Sequence, residues 1–403
     1  MASTYLTRTS SASATKGTLS MWVKKSKVGA TQYLHHNVTS TSNNYGLIFF
    51  DTNDQIEMMM TTSGSHTIKR VTNRKFRDTS AWYHFVFVTD VTNSTAQNRM
   101  RIYVNGVEET SFSTNDSPSG ASNRFYEASA SNDHVIGANA SNSSNFDGSM
   151  SHVYNIVDTV YTPSAFGETD STTGEWKIKT SPSVTFGSQG YLILKDGNTI
   201  TDQSSNSNDF TLGGGTLTNT EDCPSNVFAT VNPLNYQLSG CTLANGNTSL
   251  TATGGNGWRT FYGTLAGSSG KFYWEQKVNS YSGSSHYIGI SDIDESRNVN
   301  TNDFENGGVS AYCYRADGGK VTSVSGSTVL TAGVGASFGA GDIIGIAMDL
   351  VNNKLYFSKN GVWQNSGNPE SGASGTGSFF NITAEKLYTP ATATYNTSNQ
   401  FFS

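Results

Sequence analysis

Asp54 and Glu57 come nearest to the spacing of a catalytic acid pair in the first half of the sequence. Hydrolysis of a glycosidic bond needs two carboxyl groups, about 5 to 9 Å apart, that converge on one bond. The surrounding residues have the pattern of a strand, and side chains three positions apart on a strand point to opposite faces. The sequence therefore does not favour hydrolysis by this pair.

Histidine, serine and cysteine offer no clearer nucleophile or base. The seven histidines are scattered, and no Ser-His-Asp or Cys-His ordering stands out. His84 lies inside a strand-like run, where a packed or surface position is the simpler interpretation. Cys223, Cys241 and Cys313 are odd in number and form no Cys-x-x-Cys pair, so neither a disulfide framework nor a zinc site is indicated. We therefore expect a protein that is not an enzyme.

Short apolar runs bounded by Gly, Asn, Asp and Ser recur along the chain, whereas helical periodicity is almost absent. Residues 82–88 (WYHFVFV) and 100–104 (MRIYV) have the pattern of strands, and Asn105 with Gly106 supplies a tight hairpin turn. The chain has 403 residues, of which 41 are Gly and only 14% are charged, which suits two domains of many short strands. The sequence predicts an all-β protein with two jelly-roll-like β-sandwiches in tandem.

Charge is distributed unevenly around a net charge of -6, since residues 1–110 hold 12 Lys and Arg against 7 Asp and Glu. A mildly basic first part could dock an acidic partner, but its basic residues stand in turn-like stretches, where a solvated surface is the simpler interpretation. These residues are Lys24, Lys25, Lys27, Lys69, Arg70, Arg74, Lys75 and Arg77.

Two classes of partner are not expected. The acidic chain lacks a basic-aromatic surface signature, so no nucleic acid is expected to bind. No run approaches the roughly 18 apolar residues of a membrane helix, and the first residues lack the apolar core of a signal peptide. We therefore expect no membrane insertion and synthesis in a cytoplasm.

Four motifs in the first half of the chain form one pattern. They are WYHFVFV at residues 82–88, YVNG at 103–106, HVIG at 134–137 and FDGSM at 146–150. In this order they resemble the laminin-G/concanavalin A-like jelly roll, over about residues 1–165. Residues 161–226 and the opening residues 5–24 resemble parts of phage virion proteins that contain such jelly rolls. The resemblance implies a first domain, with a C-terminal extension, at residues 1–222.

The second half carries a more specific set of motifs. They are GKFYWE at residues 270–275, YIGIS at 287–291, GDIIGIAMDL at 341–350 and NKLYFSKNGVW at 353–363. Together they resemble a SPRY domain, which implies a SPRY-like β-sandwich at residues 235–403 behind a linker at 223–234. The resemblance also makes Glu275 a structural residue that hydrogen-bonds locally rather than a catalytic acid.

Calcium is the one cofactor that the resemblance to laminin-G-like domains leaves open. Laminin-G-like domains often bind calcium through loop oxygens, and two groups of residues could supply them. The groups are Asp51, Asn53 and Asp54, and Asp202, Asn208 and Asp209. Turns use the same residue types to satisfy their own backbone, so both interpretations stay open.

Five residues in or near the loops of the second sandwich could stack on a sugar or grip a peptide. They are Trp258, Tyr281, His286, Tyr312 and Tyr314. Each of them could equally pack in the core.

The resemblances imply a non-enzymatic structural component of a phage particle: a tail fibre, spike, adaptor or capsid decoration. We expect it in the virion after assembly in the host cytoplasm, with other virion proteins and a host-surface glycan or protein as partners. A homo-oligomer is expected, with a trimer favoured. The alternatives are a polysaccharide-active or carbohydrate-binding enzyme module and an intracellular SPRY adaptor between proteins.

Overall fold

The chain folds into two compact units, Met1–Val227 and Phe228–Ser403. The computed structural model describes residues 4–10, 14–38, 45–62, 65–118, 132–195, 197, 199–234, 240–252, 258–281, 286–294, 304, 310–324, 327–395 and 398–402. The unit boundary falls inside the predicted linker, residues 223–234. Val231 is fully buried in the second unit, where its N–H donates to the Asn247 carbonyl oxygen at 2.9 Å. This part of the predicted linker therefore packs into the second unit.

The first unit is a β-sandwich of antiparallel sheets. Its strands are β1 (Tyr5–Ser10), β2 (Lys16–Lys25), β3 (Gln32–Val38), β4 (Tyr45–Phe50), β5 (Gln55–Thr62), β6 (Ser65–Lys75), β7 (Tyr83–Asp90), β8 (Met100–Val104), β9 (Val107–Glu108), β10 (Phe112–Asn115), β11 (Asn132–Ile136), β12 (Gly148–Val157), β13 (Gly167–Thr169), β14 (Trp176–Ile178), β15 (Tyr191–Ile193) and β16 (Thr211–Gly214). One sheet has the order β10-β6-β5-β4-β3-β11-β1-β16, and the other has the order β15-β12-β2-β7-β8-β9. Strands β13 and β14 form a separate hairpin.

Strand β7 is buried on both faces, which explains its nearly continuous apolar sequence. Phe85 and Phe87 point into the core between the two sheets. Val86 and Val88 point outward, but they pack against Phe166 from the segment that follows β12. The chain itself therefore covers the outer face of this sheet, and the predicted C-terminal extension is part of the first sandwich.

Lys24, Lys25 and Arg70 do not lie on a solvated surface as the sequence suggested. Their side chains are almost fully buried, and Lys24 and Lys25 end strand β2. Lys24 Nζ lies 2.8 Å from Asp222 Oδ2, 198 residues later, because the end of the extension packs back against β2. The sequence could not show this pairing, since the partners are far apart along the chain.

The second unit is also a β-sandwich. Its strands are β17 (Cys241–Ala244), β18 (Ser249–Ala252), β19 (Trp258–Tyr262), β20 (Lys271–Tyr281), β21 (His286–Asp292), β22 (Ala311–Arg315), β23 (Lys320–Val324), β24 (Ser327–Thr331), β25 (Ile343–Asp349), β26 (Lys354–Lys359), β27 (Val362–Trp363), β28 (Phe380–Asn381), β29 (Tyr388–Tyr395) and β30 (Ser398–Phe402). One sheet has the order β17-β18-β30-β20-β25-β26-β27, with β28 beside β26, and the other has the order β19-β29-β21-β22-β23-β24. The fold class predicted from the sequence, two β-sandwiches, is confirmed.

Alternation along β25 and β26 gives their sheet one core face and one outer face. Ile344, Ile346 and Phe357 are fully buried in the core. Asn360 and Gly361 form the hairpin turn between β26 and β27, and both have positive φ (50° and 79°). Among the described residues, no helix is long and apolar enough to cross a membrane.

Candidate functional site

Asp54, one of the weak calcium candidates, is an ion-pair residue in the structure, which argues against a calcium ligand at this position. Its carboxylate is 1% exposed and lies 2.7 Å from Lys25 Nζ and 3.0 Å from Arg77 Nε. The Gly29 N–H also donates to it at 2.8 Å. Burial alone would raise the pKa of Asp54, but these hydrogen bonds hold it below its usual value. Two cations already occupy the carboxylate, so a calcium ion would be repelled there.

The other calcium candidates satisfy the backbone of their own turns. Asp51 Oδ1 accepts the N–H groups of Asn53 and Gln55, both at 2.9 Å. In the second group, Asp202 accepts from the N–H groups of Leu192, Ser204 and Asn208, and Asp209 accepts from the Asp202 N–H. Among the described residues, no three His, Cys, Asp or Glu side chains are grouped so that they could hold a metal ion.

Ser20 and His84 form a serine–histidine contact that the sequence did not indicate, but its geometry opposes catalysis. Trp176 Nε1 donates to His84 Nδ1 at 3.0 Å, and an indole nitrogen can only donate. Burial lowers the pKa of His84 to about 3, so the ring is neutral and its one proton is on Nε2. That Nε2–H donates to Ser20 Oγ at 2.9 Å, and it cannot take a proton from the hydroxyl.

Three of the five predicted ligand-binding residues lie in the core of the second unit and are not available at its surface. His286 and Tyr314 are fully buried, and Tyr312 is 3% exposed. The Tyr314 hydroxyl donates to the Ala336 carbonyl oxygen, and the Tyr312 hydroxyl lies 2.8 Å from Thr383 Oγ1. For these three residues the core-packing alternative holds, because each polar aromatic ring fills a gap between the sheets.

Trp258 and Tyr281 differ from these three. Trp258, in β19, is half-buried and stacks on Tyr287 with ring centroids 4.8 Å apart. Tyr281 is the last residue of β20, and its side chain lies outside the described residues. The five predicted residues therefore do not form one exposed site.

An open groove on the outer face of β20, β25, β26 and β27 is the site that the structure adds. We call it the aromatic groove, and its volume is about 390 Å³. This is within the range of about 300–1,000 Å³ that is typical of small-molecule sites. The lining residues are Lys271, Phe272, Tyr273, Ala347, Met348, Asp349, Tyr356, Trp363, Pro369 and Glu370.

Exposed rings form the walls of the aromatic groove. The Tyr273 ring is 55% exposed on the outer face, and Phe272, the preceding residue on the strand, is 44% exposed where it borders the groove. The rings of Tyr273 and Trp363 have centroids 6.3 Å apart and an interplanar angle of 66°. One ring can therefore serve as a flat platform while the other forms an adjoining wall. Tyr356 is 1% exposed, and its hydroxyl lies 3.2 Å from Ser371 Oγ.

Polar groups fix the walls of the groove. Tyr273 donates from its hydroxyl to Glu275 Oε1 at 2.6 Å, which confirms local hydrogen bonding by Glu275. Burial and the Glu275 carboxylate raise the pKa of Tyr273 to about 12, so the hydroxyl keeps its proton. At one end of the groove, Lys271 Nζ lies 3.2 Å from Asp349 Oδ2.

Gly345 allows the Tyr273 ring to lie flat against the sheet. A Cβ at this position would stand 2.4 Å from Ser358 Oγ and 2.6 Å from the Tyr273 hydroxyl oxygen. We expect Gly345→Ala to displace the tyrosine and to lower the free energy of unfolding by about 1–3 kcal/mol. Chemical denaturation measures this loss. In a Tyr273→Ala background the same change should cost less, and an equal cost in both backgrounds would contradict this role of Gly345.

One sequence signal could have indicated the groove. Residues 272–274 are three consecutive aromatics (FYW) on one strand, and a strand alternates its side chains between two faces. At least one ring must then point away from the core. The ligand-binding residues predicted from the sequence were placed in or near loops, whereas the exposed aromatics of the groove lie on strands.

Comparisons with known proteins agree with the two resemblances. Residues 2–165 match the family model described as the concanavalin A-like lectin/glucanases superfamily, and residues 271–397 match that of the SPRY domain. No curated protein matches the chain.

Solved structures with detectable similarity include two SPRY domains and a pentraxin. The SPRY domain of human HERC1 is 21% identical, with 40% of this chain and 91% of that chain covered and a TM-score of 0.29. The TRIM65 PSpry domain is 16% identical, with coverage of 43% and 89% and a TM-score of 0.31. A heptameric SAP-like pentraxin from Limulus polyphemus is 15% identical, with coverage of 39% and 71% and a TM-score of 0.30.

Proposed function

We propose that this chain, which carries a concanavalin A-like domain followed by a SPRY domain, is a non-enzymatic binding component of a phage particle. Both domain types suggest a binding role. The observation that carries the proposal is the aromatic groove, where Tyr273 and Trp363 present exposed or half-buried rings beside charged side chains. Such a surface can hold a ligand without reacting with it.

The chemistry of the first unit supports binding over catalysis. The Asp54 carboxylate is locked by Lys25 and Arg77, and His84 presents a proton rather than a lone pair to Ser20. The outer face of the six-stranded sheet is covered by Phe166 and Trp176 of the same chain. A soluble polysaccharide incubated with the protein should therefore release no reducing sugar, and measurable release would favour the enzyme alternative.

Two features support a place in a particle. Residues 161–226, which resemble a segment of phage virion proteins, are built into the first sandwich through contacts such as that of Lys24 with Asp222. Strand β24 lies at a sheet edge and exposes Val329 (57%) and Leu330 (50%) without a charged residue. Such an edge suits packing against further copies or other virion proteins. A homo-oligomer, with a trimer favoured, remains part of this proposal.

Purified particles test the virion proposal directly. Mass spectrometry should detect the chain in particles, and imaging at near-atomic resolution should place it at a fixed, symmetric copy number on the capsid or tail. The aromatic groove should then face outward or toward a partner that fills it. Absence of the chain from particles would overturn the virion assignment.

A further inference from the structure

The charges around the aromatic groove restrict its ligand. Among the described residues that line it, Lys271 is the one cation, and it is already paired with Asp349 at 3.2 Å. Glu370 is exposed at the rim and makes no ion pair within the described part of the chain. An anionic ligand would therefore meet the unpaired Glu370 carboxylate and an ammonium whose charge Asp349 already balances. Carboxylates and an exposed ammonium can instead exchange hydrogen bonds with uncharged hydroxyl groups.

The position of the groove on a sheet face argues against an extended peptide. The backbone groups of β20, β25 and β26 pair with each other along the whole groove floor. A peptide lying there would find few partners for its own N–H and C=O groups, and burying those groups unpaired is costly. Peptides that add to a sheet bind along an edge strand, and the edge strand beside this groove, β27, has only two residues, Val362 and Trp363.

A sugar ring fits both restrictions. It has an apolar C–H face that can lie on an aromatic ring, and its hydroxyls can bond to rim side chains or stay in water. The flat, 55% exposed ring of Tyr273 offers the platform, and Trp363 forms the adjoining wall. Lys271 and Glu370 offer a donor and an acceptor at the groove, whereas the buried Asp349 carboxylate already accepts from Val351, Asn352 and Lys271.

We infer that the aromatic groove binds an uncharged saccharide, with the ring of Tyr273 as its stacking platform. This inference rests on the proposed binding function and adds the ligand class to it. The ligand class follows from the exposed rings, the paired Lys271–Asp349 charges and the fully bonded sheet below them.

The test uses the full chain on an array that carries neutral, sialylated and sulfated glycans together with short peptides. We expect retention on neutral glycans, confirmed by calorimetric titration with the glycan that is retained best. Tyr273→Leu keeps apolar bulk but removes the ring, and it should weaken that binding by at least about tenfold. Tyr273→Phe keeps the platform and should retain most of the affinity. Val362→Ala is the matched control, because Val362 is exposed on β27 but does not line the groove.

Each outcome decides the inference. Retention on neutral glycans that Tyr273→Leu abolishes and Val362→Ala leaves intact supports it. Retention on only anionic glycans or only peptides, or on no probe, overturns it. Equal binding by Tyr273→Leu and the wild type also overturns it, because the ligand would then lie elsewhere. The chain's presence in particles is measured separately, so a failed saccharide inference is distinguishable from a failed virion assignment.

Discussion

Replacing Asp54 by Asn is expected to destabilise the first unit by about 3–5 kcal/mol. Asp54 has a left-handed backbone (φ 64°), which Asn also tolerates, so the change removes charge without adding backbone strain. The Lys25 ammonium, 0% exposed and 4.2 Å from the centroid of the Phe50 ring, would lose its carboxylate partner. Breaking a buried pair costs more than the pair contributes, because the remaining charge stays away from water. Urea denaturation followed by fluorescence measures the loss.

Two further variants distinguish the loss of the Lys25 partner from a general disturbance of the turn that contains Asp54. Asp51→Asn changes an acid in the same turn. Asp51 is half-exposed and accepts from the N–H groups of Asn53 and Gln55 and from the Asn53 amide, so we expect a loss within about 1 kcal/mol. Lys25→Met combined with Asp54→Asn also removes the buried ammonium that Asp54→Asn leaves unpaired, and the double variant should recover most of the stability. If the double variant were no more stable than Asp54→Asn alone, an unpaired Lys25 would not be the cause.

Local sequence patterns predicted the strands and turns well. The sequence shows the apolar run of β7 and the Asn-Gly turns after β8 and β26, because the signals for a strand and for a tight turn come from residues that are adjacent in the chain. The resemblances to a concanavalin A-like domain and to a SPRY domain, and the sandwich fold class, are confirmed by the family matches. Lys24 and Lys25 were misread as solvated because their carboxylate partners come from residues 222 and 54, which only the folded chain brings close.

The candidate site was harder to predict for a related reason. Tyr312 and Tyr314 have the same local pattern as Tyr273, yet the first two fill the core and the third lies 55% exposed on an outer face. Which face of a strand is covered depends on the register of the neighbouring strands, and a sequence alone does not fix that register. Because binding residues are commonly carried by loops, the prediction from the sequence also placed the site near loops rather than on the face of a sheet.

Acid is expected to unfold the first unit well before the second. Burial lowers the pKa of four histidines in the first unit, His35, His36, His84 and His134, whereas the second unit contains a single histidine, His286. Burial lowers the pKa of His36 to about 4 and the pKa of His84, His134 and His286 to about 3. Burial also holds the pKa of His35 well below its usual value.

These directions fix the sign of the pH effect. An unfolded chain binds protons at its histidines below pH about 6.5, whereas the folded units do not until the pH is much lower. Stability is therefore fully present above pH about 6.5 and falls as the pH drops toward 4, by about 1.4 kcal/mol per pH unit for each histidine. The first unit should lose stability up to about four times as steeply as the second. Burial raises the pKa of Asp147, which offsets a small part of this loss at the acid end.

Hydrogen exchange followed by mass spectrometry at pH 7 and at pH 4.5 resolves the two units by their peptides. We expect peptides of β2, β7 and β12 to lose protection at pH 4.5 while those of β20, β25 and β26 keep it. His84→Phe retains an aromatic ring between Trp22 and Trp176 but cannot titrate, so it should reduce the pH slope of the first unit by about a quarter. The slope is the readout because the substitution also removes two hydrogen bonds and lowers stability at every pH. Loss of protection in both units at the same pH, or an unchanged slope in His84→Phe, would show that the buried histidines do not control acid unfolding.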